Sequence, residues 1–286
     1  MIESLQASPA ALIGVCVVLG LCVGSFLNVV VYRLPKMMEA EWRADCAEVT
    51  GVEPPPREVF NLVTPRSRCP SCATPITFDQ NIPVVSWLLL GGKCAACKAR
   101  ISARYPAVEL AAGALAGFLA WRFGYSPALA GALIFAWSLL ALALIDFDTQ
   151  LLPDDITLPL LWTGLLFNMG STFTSLPSAV LGAVAGYLSL WLVYWGFKLV
   201  VRKEGMGYGD FKLLAALGAW LGWAMLPFIV LVSAGLGAVI GLAGMALART
   251  GRDTRIPFGP YLALGGLVGL LWGRQATVAW LGYFPS

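Results

Sequence analysis

The chain has 286 residues, of which 58% are hydrophobic and 12% are charged, with a formal net charge of +3 and a mean hydropathy of +0.77. This composition excludes an ordinary soluble domain and is typical of a polytopic membrane protein. The sequence contains no histidine, which excludes Ser-His-Asp and Cys-His nucleophile pairs and zinc hydrolases of the HExxH type. Any hydrolysis would therefore use carboxylates, lysine or a metal held by other ligands.

The first apolar run extends from about residue 9 to Tyr32. Its length of about 24 residues is enough to span a bilayer with some tilt. We expect a transmembrane helix that ends at Arg33 and Pro35. Glu3 precedes this run and no basic residue does, so a cleavable signal peptide is not expected.

The composition changes between Arg33 and Arg104. This stretch is charged, carries eight prolines and holds four of the seven cysteines in two pairs. We interpret it as an extramembrane domain inserted between the first two membrane helices. Within it, residues 82–90 are apolar but too short to cross a bilayer, and we expect them to rest at the membrane interface.

Seven further candidate spans follow the cysteine-containing stretch. They cover about residues 106–121, 126–145, 156–170, 176–200, 211–224, 227–248 and 256–273. The expected fold is therefore an all-α polytopic membrane protein of about eight transmembrane helices. Its predicted domains are a first transmembrane helix (residues 1–32), a cysteine domain (33–104) and a membrane core of about seven helices (105–286).

Lysine and arginine are distributed unevenly around these predicted spans. Ten lie between residues 33 and 104, four between 198 and 212, and three between 249 and 255, so that 17 of the 19 fall on one side. By the positive-inside rule that side is cytoplasmic. With eight spans, both termini are expected to be periplasmic and the cysteine domain cytoplasmic.

Two acidic stretches lie at borders between apolar helices. One is residues 145–148 (IDFD), which carries Asp146 at the end of the third predicted helix, and the other is residues 207–210 (GYGD), which carries Asp210. The predicted topology places both aspartates at the same membrane depth on the cytoplasmic side. A carboxylate near lipid is costly, and it is a functional-site hypothesis by default.

Two carboxyl groups that are held close together can share a proton and titrate as a unit. One can act as general base on a water molecule while the other donates a hydrogen bond to the scissile carbonyl. Gly207 and Gly209 would permit an extended substrate backbone to approach closely beside Asp210. This pattern predicts peptide hydrolysis by an aspartate pair.

Two alternatives remain at this point. The aspartates could be solvated residues or helix caps, which is the interpretation that we favour for the neighbouring Asp148, Asp154 and Asp155. The chain could also be an ion-coupled transporter with membrane carboxylates. Such folds usually contain internal repeats, and we find none between the two halves of this sequence.

Four cysteines form two Cys-x2-Cys pairs, Cys69 with Cys72 and Cys94 with Cys97, separated by 21 residues. This spacing is close to that of the four-cysteine zinc ribbon, in which two knuckles hold one tetrahedral Zn2+. Disulfides or free thiols are the alternative, but a cytoplasmic location disfavours disulfides. Because all four positions would be ligands, the predicted zinc site is closed and structural.

Eight motifs occur in a fixed order along the chain. They are residues 24–35 (GSFLNVVVYRLP), 68–72 (RCPSC), 81–84 (NIPV), 92–97 (GKCAAC), 104–110 (RYPAVEL), 145–148 (IDFD), 151–159 (LLPDDITLP) and 204–210 (EGMGYGD). Together they resemble the bacterial type IV prepilin peptidases, a family of bifunctional leader peptidases and N-methyltransferases of the GxGD aspartic protease class. The resemblance extends from residue 24 to about residue 222.

The resemblance implies that Asp146 and Asp210 are the catalytic aspartates of an intramembrane endopeptidase. It implies cleavage of type IV prepilins and type II secretion pseudopilins after a glycine, at the cytoplasmic face of the bacterial inner membrane. It also implies N-methylation of the new N-terminal residue, with S-adenosylmethionine as cofactor. Gly92 and Lys93, beside the second cysteine pair, and Glu109, early in the second helix, are candidates for that activity.

The expected partners are prepilins and pseudopilins as substrates, together with membrane lipid, and no nucleic acid is expected. A prepilin-binding scaffold with an inactive aspartate pair is a further alternative.

Overall fold

The structure is a computed structural model that describes residues 6, 8–52, 59–202, 206–246 and 257–282. Across these residues the secondary structure is helical, apart from two isolated β-bridges, Arg68–Pro75 and Lys93–Arg100. The all-α fold predicted from the sequence is confirmed. The chain divides into two compact units, residues 1–129 and residues 130–286.

Nine α-helices lie in the described ranges. They are α1 (Pro9–Thr50), α2 (Val85–Leu89), α3 (Arg104–Phe123), α4 (Pro127–Thr149), α5 (Asp154–Met169), α6 (Leu176–Val201), α7 (Tyr208–Leu221), α8 (Leu226–Ala246) and α9 (Gly259–Leu281). Two short 3-10 turns cover Asp79–Asn81 and Trp223–Met225. Apart from the short α2, these helices correspond one to one to the eight segments expected from the sequence.

Five helical segments are long and apolar enough to cross a membrane. They are Pro9–Thr50, Pro127–Thr149, Leu176–Val201, Trp223–Gly244 and Gly259–Ala279. The protein is therefore a multi-pass membrane protein, as predicted. Helices α5 and α7 have 16 and 14 residues. At about 1.5 Å per residue each is shorter than a ~30 Å hydrocarbon core.

In the first unit, α1 continues far beyond its apolar part. The prediction that this helix ends at Arg33 and Pro35 is wrong, because it runs to Thr50 with Pro35 inside it. The residues after Pro35 are rich in Met, Glu and Ala, which favour helix even where no apolar pattern persists. Gly51 ends the helix in a left-handed conformation with φ of 69°.

The buried side chain of Arg33 attaches the following loop to α1. Its guanidinium donates hydrogen bonds to the backbone carbonyls of Asn61 and Pro65 at 2.8 and 2.6 Å. It also lies over the ring of Phe60, 5.6 Å from the ring centroid. Charge-assisted hydrogen bonds of this kind are among the stronger ones in proteins. Arg33 therefore holds the start of the cysteine module, residues 59–104, against the helix.

In the second unit, α7 is the central helix. Every residue from Asp210 to Leu221 is buried except Lys212. At its far end, the Trp220 indole donates from Nε1 to the carbonyl of Leu160 in α5, at 2.7 Å. A helix that is apolar all round belongs in a protein interior or among other membrane helices.

An aromatic cluster surrounds Trp220. The ring centroids of Phe135, Phe167 and Phe173 lie 5.2, 5.4 and 5.5 Å from that of Trp220. Phe135 belongs to α4 and Phe167 to α5. The cluster therefore positions α7 against both helices, and with it Asp210, which lies near the opposite end of α7.

Helices α6 and α7 meet through glycines. A Cβ added to Gly182 of α6 would lie 2.3 Å from the carbonyl oxygen of Gly218 in α7. Such close approach of two backbones is typical of membrane helices that pack through small residues. A side chain at either position would push the central helix out of place.

We therefore expect Gly182→Ala to lower the stability of the protein by roughly 1–3 kcal/mol, the range of overpacked sites. Thermal unfolding in one detergent would measure it as a lower midpoint. The matched control is Gly235→Ala in α8, where an added Cβ meets nothing within 4 Å. Equal midpoints for the two variants would contradict the close contact between α6 and α7.

Candidate active site

Asp146 lies in the last turn of α4 and is 5% exposed. Its Oδ2 accepts a hydrogen bond from the backbone N–H of Gly259 at 2.8 Å. Gly259 is the first residue of α9, and the partial positive charge of a helix N-terminus favours a nearby carboxylate. A Cβ at Gly259 would lie 2.6 Å from the same oxygen, so this contact requires glycine.

Asp210 is the third residue of α7 and is 7% exposed. Its backbone N–H donates to the carbonyl of Gly207 at 3.3 Å, which closes the turn that starts the helix. Its carboxyl group lies close enough to that of Asp146 for the two to interact electrostatically. The structure therefore brings together two acidic side chains that are 64 positions apart in the sequence, on α4 and α7.

The two glycines before Asp210 have different surroundings. A Cβ at Gly209 would lie 2.7 Å from the Cβ of Leu152, so the chain's own packing occupies the space beside it. Gly207 has an ordinary extended backbone, with φ of −82° and ψ of 151°. Its nearest neighbour would be Oδ2 of Asp210, at 3.9 Å from an added Cβ. Among the described residues, no side chain therefore fills the space beside Gly207, next to the carboxyl group.

An ion pair fixes the start of α7 against the start of α5. The ammonium group of Lys212 donates to both carboxylate oxygens of Asp154, at 2.8 and 2.7 Å. Both side chains are partly exposed, so the pair adds little stability by itself. Together with the contact between Gly209 and Leu152, it sets where α7 begins. Asp154, expected above to be a solvated residue or a helix cap, is the first residue of α5, and its contact with Lys212 was not indicated by its local sequence.

In the first unit, the four predicted cysteines form one cluster. Their Sγ atoms all lie within 4.8 Å of one another. The Sγ distance is 3.8 Å between Cys69 and Cys97 and 3.9 Å between Cys72 and Cys94. A tetrahedral ion with bonds of about 2.3 Å to sulfur needs sulfurs about 3.8 Å apart, whereas a disulfide needs about 2.05 Å. The cluster therefore fits a metal ion and not disulfides.

Both cysteine pairs sit in turns of the same design. The backbone N–H of Cys69 donates to Thr74 O at 3.0 Å, and that of Cys94 donates to Ala99 O at 2.8 Å. In each turn the fourth residue after the first cysteine has positive φ, 56° at Ala73 and 60° at Lys98. The two turns therefore have the same backbone conformation, and each presents its two cysteines to the cluster in the same way.

The thiol of Cys72 has a polar neighbour outside the cluster. The hydroxyl oxygen of Thr74 lies 3.2 Å from its Sγ. Hydrogen bonds with the side chain and backbone of Thr74 lower the pKa of Cys72 to about 6. The thiolate is the form that binds a metal.

Gly92 and Lys93 lie immediately before the second knuckle. Gly92 has φ of 66°, and a Cβ there would lie 2.9 Å from the Trp87 ring. The Gly92 carbonyl accepts a hydrogen bond from the N–H of Ile101 at 2.8 Å. The structure of this turn is therefore enough to explain why a glycine occupies position 92. Lys93 is exposed and forms the isolated bridge with Arg100.

Glu109 is buried in α3, with 8% of its surface exposed. Its Oε2 accepts a hydrogen bond from the backbone N–H of Val84 at 2.7 Å. This contact joins α3 to the turn that precedes α2. Within the first unit, Glu109 therefore has a structural partner that the sequence did not predict.

Comparison with known proteins identifies the family. A model of the bacterial peptidase A24 N-terminal domain matches residues 18–123, and a model of the type IV leader peptidase family matches residues 133–242. The curated prepilin leader peptidase/N-methyltransferase of Pseudomonas aeruginosa is 54% identical over 98% of this chain and 97% of its own. Those of Stutzerimonas stutzeri and Pectobacterium carotovorum are 53% and 52% identical over 98% and 94% of this chain, and 97% and 96% of their own. The chain belongs to the type IV leader peptidase family.

No solved structure matches the chain. The two family models fall on the two compact units, with the cysteines in the first and both aspartates in the second. In this family member, Gly259 lies beyond the end of the second match and yet contacts Asp146.

Sequence reasoning did not identify Gly259 or Lys212 as part of the site. The signal near Gly259 was weak, since a Gly-Pro pair at the start of an apolar run marks only a helix N-terminus. Lys212 follows Asp210 by two residues, but an exposed lysine near a helix start is common. Their partners are 113 and 58 positions away, and no spacing rule connects them.

The geometry of the cysteine cluster predicts the metal content of the protein. We expect about one metal ion per purified wild-type chain, measured by elemental mass spectrometry, and much less in Cys72→Ser because a closed site loses one of its ligands. Cys46→Ser is the matched control, since Cys46 is an exposed free thiol on α1 outside the cluster. Equal metal in Cys72→Ser and wild type would contradict the four-cysteine site.

Proposed function

We propose that the chain is an intramembrane aspartic endopeptidase that cleaves the leader peptides of type IV prepilins and type II secretion pseudopilins after a glycine. The observation that carries the proposal is the buried pair of carboxyl groups, Asp146 on α4 and Asp210 on α7, within electrostatic range of each other. The sequence contains no histidine, so this pair is the best-suited group for activating water. The name shared by the curated relatives supports the same reaction.

We assign different roles to the two aspartates. Asp146 accepts the amide hydrogen bond from Gly259 at the start of α9, which suits it to carry the negative charge as general base. The Asp210 carboxyl group also interacts with a backbone N–H, that of Gly207, so each aspartate has one amide donor; we assign the shared proton to Asp210 as part of this proposal. The pair still titrates as one unit.

The proposed reaction begins with water between the aspartates and the scissile carbonyl. Asp146 takes a proton from the water as its oxygen bonds to the carbonyl carbon, while Asp210 gives its proton to the carbonyl oxygen. The C–N bond of the tetrahedral intermediate then breaks. The amine leaves with the proton held by Asp146, and Asp210 recovers its proton from the new carboxyl group.

The substrate is proposed to approach beside Gly207. No side chain of the described residues fills this space, which borders the Asp210 carboxyl group, whereas the space beside Gly209 is taken by Leu152. An extended substrate backbone is proposed to pass the carboxyl group at Gly207. Gly209 supports the site indirectly, because it lets α7 start close to Leu152.

The proposed location is the bacterial inner membrane, with the cysteine module and the aspartates on the cytoplasmic side and both termini periplasmic. The excess of lysine and arginine in residues 33–104, 198–212 and 249–255 supports this orientation. We propose zinc as the metal of the four-cysteine cluster, since four thiolates in tetrahedral geometry are typical of structural zinc. Zinc would stabilise a module with few buried apolar side chains.

The second proposed activity is N-methylation of the new N-terminal residue, as in the names of the curated relatives. S-adenosylmethionine would supply the methyl group. Gly92, Lys93 and Glu109 remain candidates for this activity. Gly92 also has a structural role in the turn beside Trp87, and Glu109 has one in its hydrogen bond to Val84. Neither structural role depends on methyltransferase activity.

The aspartate pair predicts the effect of two isosteric substitutions. Asp146→Asn and Asp210→Asn should each abolish cleavage of a prepilin-like substrate by purified, reconstituted protein, because neither variant can exchange the shared proton. A loss of roughly 10³-fold or more is expected for removing a catalytic acid or base of this kind. The cleavage rate is measured from the appearance of the shorter product, which migrates faster on a gel.

The control for both variants is Asp148→Asn, which changes an exposed carboxylate two residues after Asp146. It should cut at the wild-type rate, and all three variants should insert into the membrane. Full activity in Asp146→Asn or Asp210→Asn would disprove the aspartate mechanism. Normal substrate binding without cleavage by the wild-type protein would instead support the scaffold alternative.

The Gly259 contact predicts a defect without any change of a carboxyl group. Gly259→Ala places a methyl group 2.6 Å from Oδ2 of Asp146, so the carboxyl group must move. A misplacement of about 1 Å can cost roughly 100-fold in rate, and we expect a fall in kcat of that order with a smaller change in KM. The control is Gly196→Ala, because an added Cβ there meets nothing within 4 Å. Equal kcat values for Gly259→Ala and Gly196→Ala would refute the positioning role of Gly259.

A further inference from the structure

We propose that residues 82–90, here called the interfacial segment, insert their apolar face into an anionic lipid surface and thereby anchor the cysteine module to the membrane. From the sequence, this apolar and short stretch was expected only to rest at the membrane interface. The structure adds its exposed face, its attachment to the membrane helices and the charge around it. The inference does not depend on the proposed protease activity.

The short helix α2 presents one apolar face without any protein cover from the described residues of its unit. Val85, Leu88 and Leu89 are 48%, 64% and 82% exposed. Their spacing of three and four residues places them on one side of the helix. Ile82, one turn earlier, is 49% exposed and extends the same apolar surface.

Other residues of the segment hold it to its own unit. The indole of Trp87 donates from Nε1 to the carbonyl of Ile101 at 3.3 Å and packs against Gly92. The hydroxyl of Ser86 donates to Ile82 O at 2.8 Å. The segment is therefore an ordered part of the module, and its exposed side chains are held in place.

The attachment through Glu109 places the segment at the level of the membrane. Val84 donates its N–H to Glu109, and the Cα of Glu109 lies against Gly24 of α1. Gly24 lies inside the apolar run that ends at Tyr32, about 12 Å before its end along the helix. A glutamate side chain reaches about one helical turn, so Val84 lies within the span of that run and not beyond it.

A second contact confirms the level at which α3 begins. Asn28, still inside the apolar run of α1, donates from Nδ2 to the carbonyl of Tyr105 at 3.1 Å. Tyr105 is the second residue of α3 and lies one turn before Glu109. The start of α3 and the interfacial segment therefore lie at the same depth, near the boundary between lipid and water.

The turn at Val84 also fits a segment that is held at that border. Val84 has φ of 61° and ψ of −49°, an unfavourable conformation for a β-branched residue. The N–H of Val85 donates to Pro83 O at 2.6 Å across this residue, which closes a strained three-residue turn. Strained turns persist where the surroundings hold them, and the buried Glu109 carboxylate does so here.

The charge of the module favours anionic lipid. Residues 59–104 carry one acidic side chain, Asp79, and six exposed cationic ones: Arg66, Arg68, Lys93, Lys98, Arg100 and Arg104. A four-thiolate zinc centre would contribute about −2, which leaves the module cationic. Basic groups next to an apolar insertion are attracted to negatively charged headgroups.

The test measures immersion depth in the full-length protein, reconstituted in nanodiscs with or without phosphatidylglycerol. A nitroxide is attached through an unnatural amino acid at position 89, which leaves all cysteines in place, and zinc content confirms that the module is folded. The matched control is position 49, since Val49 is equally apolar and 87% exposed on α1 but lies about 25 Å past Tyr32 along the helix. Collision rates with oxygen and with a neutral nickel chelate are recorded by electron paramagnetic resonance.

We expect the label at 89 to collide several-fold more with oxygen than with the nickel chelate, and the label at 49 to show the reverse. Phosphatidylglycerol should lower the nickel accessibility at 89 further, and Leu88→Glu should raise it. Nickel accessibility at 89 equal to that at 49 would overturn the proposal. Shielding of position 89 from both reagents would also overturn it, because a protein surface and not lipid would then cover the segment.

Discussion

Two carboxyl groups that are close together inside a mostly apolar unit repel each other and have lost most of their water. Asp146 and Asp210 are 5% and 7% exposed, so the surrounding helices must hold them in place. The central helix α7 is fixed at one end by the aromatic cluster around Trp220 and at the other by the Lys212–Asp154 ion pair. The start of α9 adds an amide donor to Asp146. These contacts in the second unit together determine where the two aspartate side chains lie.

The first unit uses buried polar side chains for a different purpose. Arg33 and Glu109 each form hydrogen bonds to the backbone of the cysteine module, Arg33 to Asn61 and Pro65 and Glu109 to Val84. A charged group in an apolar setting is stable when it is hydrogen-bonded. These contacts connect α1 and α3 to the module that carries the cysteine cluster.

Several features were predictable because they depend on neighbours in the sequence. Apolar runs predicted the positions of eight of the helices, and the Cys-x2-Cys spacing predicted the cluster in which four Sγ atoms lie within 4.8 Å of one another. The end of α1 was not predictable in the same way. Apolar length describes only the part of a helix that lipid favours, and the polar continuation to Thr50 depends on helix propensity beyond it.

The sequence by itself determined the fold class, the metal-ligand set and the two aspartates as candidates, because composition, periodicity and short motifs are local properties. Only the tertiary structure placed Asp146 near Asp210 and assigned Gly259, Lys212 and Glu109 their partners. It also separated Gly209, which lies against Leu152, from Gly207, whose nearest described side chain is that of Asp210. These contacts join residues that are tens to more than a hundred positions apart. They form only when whole helices pack, since the position of each backbone amide and side chain is set by the packing and not by its neighbours in the chain.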